Sequence, residues 1–306
     1  MKFKKLLFLL PVFSVIITSC SSDDPSPEPV VEPPVVVAPV PQKLVSYEYP
    51  YHENMGLFRD KETYEYDNAN RITKVSFGGA AFGITYVSAD LIEVNQLEDA
   101  LTGYKVNAKT SIYLKEGNVQ LIVTKEITVY ETKEEIFSTS TDSTVFTYNN
   151  KFISKSETYQ KNNFFPVFRI IRQADFVEQN GNITKTTAKI LYPETTYNID
   201  YTYDTDAYVT GSDYTFETPM LYSYIFMYSI LHDKMGKKSA NNIVKIDHSY
   251  PEIRPSSRSF KTMTLKRNLD TEKRLKEIVI SGTVFDGVTG DKTLEYKDAK
   301  GIFTFK

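Results

Sequence analysis

One pattern recurs six times in this sequence and limits what it can fold into. An aromatic residue, a spacer and usually a tyrosine are followed by a polar turn of Asp, Asn or Gly, then by an aliphatic run that often carries a lysine. The clearest copy is Tyr64-Glu65-Tyr66-Asp67-Asn68-Ala69-Asn70-Arg71-Ile72-Thr73-Lys74-Val75. Others begin at Phe146, Phe176 and Tyr201, and variants occupy residues 265–278 and 294–305. Each copy reads as one β-hairpin, because Asn, Asp and Gly tolerate the left-handed backbone of a tight turn. Aromatics at alternate positions point to one face, and a neighbouring hairpin must cover them. The 22 Tyr and 19 Phe of the 306-residue chain suit a pleated, half-buried surface.

One segment breaks the β pattern. Thr218 can cap a helix, Pro219 fits its first turn, and Gly236 is placed to end it. Between them Leu221, Tyr224, Ile225, Tyr228, Leu231 and Met235 fall on one helical face. The expectation is a mainly β domain: a large curled antiparallel meander sheet of consecutive hairpins, with one α-helix (about 219–235) packed on its concave face. A lone sheet needs such a second layer. The local pattern leaves open whether the sheet closes into a barrel or encloses a cavity.

The N-terminus reads as an address. Lys2, Lys4 and Lys5 precede an apolar stretch, Leu6 to Ile17, too short for a membrane span. Ile17-Thr18-Ser19-Cys20 resembles the bacterial lipobox, in which the cysteine receives diacylglycerol, and Cys20 is the only cysteine. Residues 1–19 are therefore read as a lipoprotein signal peptide, 20–42 as the lipidated cysteine and a proline-rich tether, and 43–306 as a single β-rich domain. Seven prolines between 25 and 41 exclude helix and strand there. A polyproline-like spacer of that length reaches roughly 60–70 Å. Ser21-Ser22-Asp23-Asp24 resembles the acidic export signal of Bacteroidota surface lipoproteins, which implies an outer-membrane, cell-surface location. A periplasm-facing anchor is the alternative. Removal of the leader leaves 33 basic and 39 acidic side chains. That balance argues against nucleic acid or anionic lipid as the main partner, since both bind basic patches.

The copy at Tyr64 also resembles the YD repeat of RHS-type proteins, with Asn70 where glycine is usual and Ile72 where leucine is usual. Residues 43–306 as a whole resemble Bacteroidota lipoproteins of unassigned function built from degenerate YD-like hairpins. RHS shells use dozens of copies to close a cocoon. The few copies here do not carry that encapsulating role.

The sequence offers no catalytic constellation. Cys20 is taken by lipid, and no G-x-S-x-G elbow is present. His52, His232 and His248 lie far apart, without the spacing of zinc ligands. His232 is expected near the C-terminus of the helix, where positive charge is favourable. Asp204 and Asp206 flank a turn without the spacing of a calcium loop, and Gly78-Gly79 suits a turn or bulge. No cofactor or metal is expected, and no binding residue can be named. The loop from Pro251 to Arg258 is long enough for recognition. The expected function is that of a non-enzymatic structural or binding module that meets a glycan or protein, held to the membrane through diacylglycerol on Cys20. A periplasmic carrier of apolar ligands is the alternative, and a hydrolase ranks last.

Overall fold

The structure is a computed structural model that describes residues 43–53, 61–98, 104–130, 136–191, 194–211, 230–249, 258–286 and 292–306. The expected signal peptide, Cys20 and the expected tether lie outside them. Residues Gln42–Lys306 form one compact unit. Its described residues form sixteen antiparallel strands: β1 Leu44–Glu48, β2 Lys61–Tyr66, β3 Ile72–Phe77, β4 Ala80–Ser88, β5 Leu91–Glu98, β6 Tyr104–Lys115, β7 Asn118–Tyr130, β8 Ile136–Asn149, β9 Phe152–Asn162, β10 Arg169–Gln179, β11 Asn182–Leu191, β12 Glu194–Ala207, β13 Asn241–Ser249, β14 Arg258–Leu269, β15 Leu275–Asp286 and β16 Lys292–Phe305.

Every strand pairs with its neighbours in sequence, and β1 pairs with β16, so the sheet closes into a barrel. Lys43 and Lys306 finish the seam by exchanging backbone hydrogen bonds of 3.1 and 2.9 Å. The open curled sheet expected from the sequence is thereby corrected. A barrel is a sheet that supplies its own second layer, so no helix on a concave face is needed. Of the expected helix, residues 219–229 lie outside the described residues. Of its end, Ile230 and Leu231 are helical and run into a 3-10 turn, His232–Lys234.

The two ends of the barrel differ. One end, the base, carries both ends of the unit and the turns at 67–71, 116–117, 150–151, 180–181 and 270–274. The rim carries the two-residue turn Gly78-Gly79, both at positive φ, and the loop 163–168. The turns at 67–71 and 270–274 are built alike. Asp67 Oδ1 accepts the N–H groups of Ala69 and Arg71, both at 2.9 Å, and Asp270 Oδ1 accepts those of Glu272 and Arg274, both at 2.9 Å. In each turn the other carboxylate oxygen takes the arginine Nε, at 2.8 and 2.6 Å. The repeated tyrosines are also alike. The hydroxyls of Tyr66, Tyr148 and Tyr203 donate to the carbonyls of Leu44, Val119 and Ile183 on the preceding strand, at 2.7, 2.7 and 2.6 Å. The copies at Tyr64, Phe146 and Phe176 are hairpins (β2–β3, β8–β9 and β10–β11). The copy at Tyr201 is not. There β12 runs straight on to Ala207, and a long connection leads to β13.

The described end of that connection lies across the base. Ile230, Leu231 and Met235 join the core, and Asp233 lies close enough to Tyr86 of β4 to act on it electrostatically. Lys237 N–H donates to Lys151 O at 2.7 Å, and Ala240 N–H to Gly181 O at 2.8 Å. Gly236 sits at φ +80, where a Cβ would stand 2.5 Å from Lys151 O. Only glycine fits this contact.

A round barrel of sixteen strands leaves an aqueous channel. Here all sixteen strands send side chains into one continuous apolar core, among them Tyr47, Val75, Ile92, Ile112, Phe146, Ile199, Met263, Ile278, Ile280 and Tyr296.

Candidate functional site

Strand alternation separates an inner from an outer wall. On β2, Glu62 and Tyr64 are buried, whereas Lys61, Thr63 and Glu65 are exposed. The outer wall is charged nearly all the way round. Ion pairs join Glu48 to Lys61 (β1–β2), Glu65 to Lys74 (β2–β3), Glu93 to Lys109 (β5–β6), Lys189 to Glu194 (β11–β12) and Glu277 to Lys300 (β15–β16). Such exposed pairs contribute little stability, about 0–1 kcal/mol each. Their position is what matters. A barrel that spans a membrane shows lipid an apolar band about 25 Å tall, and each Lys or Arg at its midplane costs about 2–4 kcal/mol. Along this wall Val87, Val177 and Ile302 stand among charged and hydroxyl side chains, whereas Leu91, Tyr113, Leu121 and Val145 lie side by side in one outward row across β5–β8.

The inner wall is mostly apolar, with single polar residues such as Glu62 and His248, and across β6–β10 the register sets polar side chains in rows. One row runs Thr110, Thr124, Asp142, Gln160, Arg169. The next row toward the base runs Ile112, Ile122, Thr144, Thr158, Arg172, and the next toward the rim runs Ala108, Glu126, Ser140, Asn162. Thr110 shares a 3.0 Å hydrogen bond with Thr124, and Thr144 one of 3.0 Å with Thr158. The Asn162 amide donates to Gln160 Oε1 at 3.1 Å. Asp142 is the centre of this surface. Burial pushes its carboxyl above the usual carboxylate range, opposed by a hydrogen bond from Gln160 and the charge of Arg172. Its Oδ1 is enclosed and has no hydrogen-bond partner in the structure. A buried acceptor left open costs about 1–3 kcal/mol; the half-buried groups around it, Thr124, Thr144, Thr158 and Gln160, are the ones that offer hydroxyls and an amide to a polar guest.

A second buried carboxyl lies on the packed side. Glu62 receives the hydroxyls of both Tyr49 and Tyr64, and burial raises its pKa despite these two bonds. The chain after Tyr49 turns inward, and Pro50 lies against Gly301, where a Cβ would stand 3.0 Å from the proline ring. Glu62 is closed in and belongs to the core.

The residues named from sequence do not gather into a site. His248 is buried on β13 and faces inward, His52 stands beside Tyr296 with ring centres 6.3 Å apart, and His232 lies in the 3-10 turn. Asp204 is bound by the Asn242 side chain and lies 3.9 Å from the Arg267 guanidinium, which ties the end of β12 to β13 and β14. Of the loop from Pro251 to Arg258, all but Arg258 lies outside the described residues. Among the described residues no three His, Cys, Asp or Glu side chains converge as metal ligands. The Asp142 row was missed because a run such as Ser138-Thr139-Ser140-Thr141-Asp142-Ser143-Thr144 gives a hydropathy reading no reason to assign either face to the interior. Its signal is a stretch of strand with no apolar face.

No family model matches this sequence, and no curated protein matches it. Solved structures do. A porin-like protein from Bacteroides vulgatus superposes with a TM-score of 0.55 at 14% identity, covering 87% of this chain and 99% of that one. A porin-like protein from Bacteroides uniformis gives 0.55 at 10% identity, covering 87% and 98%. At these identities the likeness establishes a shared barrel fold.

Proposed function

We propose that this chain is a non-enzymatic envelope lipoprotein whose barrel stands in water and binds a polar partner at the Asp142 row. Diacylglycerol on Cys20 holds it to the outer membrane, and the proline-rich segment spaces the barrel away. The charged outer wall carries this reading: a surface laced with Lys–Glu pairs is suited to water. The likeness to porin-like Bacteroides proteins supports an outer-membrane setting. The apolar core to which all sixteen strands contribute counts against an open conducting pore. The partner best matched by a wall of hydroxyls, amides, carboxylates and a guanidinium is a glycan.

Residues 42–306 close their own barrel and core, so they can be produced alone. They are expected to be monodisperse without detergent. A requirement for detergent would overturn the reading. In cells the Cys20→Ala variant should lose radiolabelled palmitate and leave the membrane fraction. Shaving intact cells with protease separates surface from periplasmic placement. Binding on an array of oligosaccharides should be lost in Asp142→Asn and Arg172→Ala. Turnover of a bound glycan, abolished by Glu126→Gln or Asp142→Asn, would point to a hydrolase instead.

A further inference from the structure

We infer that the rim loop Asn163–Phe168 is a docking tip for an anionic lipid surface. Its sequence is Asn-Phe-Phe-Pro-Val-Phe, with Phe164 85% and Val167 75% exposed and Phe165 and Phe168 also exposed. These exposed groups are not slack chain. Asn162 Oδ1 accepts the N–H groups of Phe164 (3.0 Å) and Phe165 (2.9 Å), and the backbones of Asn162 and Phe165 bond to each other. Asn163 Oδ1 accepts the Thr139 hydroxyl at 2.7 Å and so fastens the tip to β8. The Arg169 guanidinium stacks on the Phe165 ring. A preformed projection of phenylalanines has no polar handle to offer a hydrated partner.

The wall beneath the tip is layered. Ile127, Ile136 and Phe137 are exposed on β7 and β8 near the rim. Farther toward the base, one outward row runs Lys109, Lys125, Thr141, Lys161. Successive outward rows stand about 6.6 Å apart along a strand. Apolar side chains at the end, with lysines a few ångströms behind them, match the acyl boundary and the anionic headgroups of a bilayer. The lysines favour a lipid surface over a second copy of the chain, which would bring its own lysines to the same place.

The chain has no tryptophan, so Phe164→Trp in residues 42–306 makes a single reporter. With vesicles of phosphatidylethanolamine and phosphatidylglycerol its emission should shift to the blue. The protein should also sediment with the vesicles, several-fold less at 500 mM than at 50 mM salt. Without the reporter, F164S/V167S/F168S should lower sedimentation at least tenfold, and K125E/K161E several-fold. Unchanged circular dichroism would show that both variants fold. Absence of binding, binding untouched by the triple variant, or equal binding to phosphatidylcholine vesicles without salt dependence would each overturn the proposal. So would a blue shift that grows with protein concentration in the absence of vesicles, which would assign the tip to self-association.

Discussion

The inner walls of β14–β16 and of β7–β9 differ, although the same alternation builds both. In the first, Met263, Ile278, Ile280 and Val284 are wholly enclosed. In the second the equivalent inward positions hold Thr124, Asp142, Thr144, Thr158 and Gln160, most of them half-buried. The outer faces of both regions carry Thr, Ser and Lys, mixed on β7 with the outward Leu121, Val123 and Ile127. A two-residue period therefore decides which side chains point inward, and the inward residues decide whether the interior is core or site. On the packed side small residues let the chain crowd in. A Cβ on Gly282 would stand 2.0 Å from Thr262 O, and Pro50 lies against Gly301.

The contrast predicts unequal responses to substitution. Ile278→Ala should cost about 2–5 kcal/mol through lost burial and a cavity, seen as a lower urea midpoint. The double change Thr144→Val/Thr158→Val replaces both partners of one hydrogen bond by groups of the same shape, and should be close to neutral. Comparable losses in the two would abolish the distinction between core and site. Gly282→Ala should follow, at about 1–3 kcal/mol, because the added methyl meets backbone on the packed side.

Glu62 tests the packed side with pH. Its folded pKa is raised above the unfolded value near 4.5, so the native state holds the proton more tightly. The stability it gives is complete below the unfolded pKa and is lost as pH rises through the folded pKa. Glu62→Gln should raise Tm relative to the parent at pH 8 and not at pH 4. Asp142, also raised by burial, shifts in the same direction. Asp142→Asn should give a smaller gain, because its row is less enclosed. The smallest effect belongs to the base turns. Asp67 is held below its usual range, chiefly by the Arg71 N–H, and Asp270 chiefly by the Arg274 side chain. Their contribution is present above the unfolded pKa and fades as pH falls through the lower folded value. Asp67→Asn and Asp270→Asn should each lower Tm slightly, and by similar amounts.

Local structure was legible in the sequence, and global closure was not. Tyr66-Asp67 and Tyr148-Asn149 announce a strand end and a turn because their chemistry is satisfied within a hairpin or by the adjacent strand. The seam between Leu44–Glu48 and the end of β16 joins segments more than 250 residues apart in sequence, and leaves no local signal. The reading of a helix on a concave face was overturned, although Leu231 and Met235 are buried. Its premise, that a single sheet must borrow a second layer, failed because this sheet covers itself. The Asp142 row escaped because polar residues on both faces of a strand look like surface until the ring is closed.

The seam also sets an order of events. Until the last strand has emerged, β1 and β15 each present an unpaired edge to whatever lies nearby, and such edges recruit other chains. A strand that pairs with the one beside it in sequence can form as it is delivered. The bond between Lys43 and Lys306 must wait for the whole of the length between them. A chain delivered from its N-terminal end is thus a growing ribbon with two loose margins, and it closes into a barrel only once β16 is in place. Deleting the segment from Ile302 to Phe305 would leave most of the hairpins intact and take away the single event that makes them one molecule.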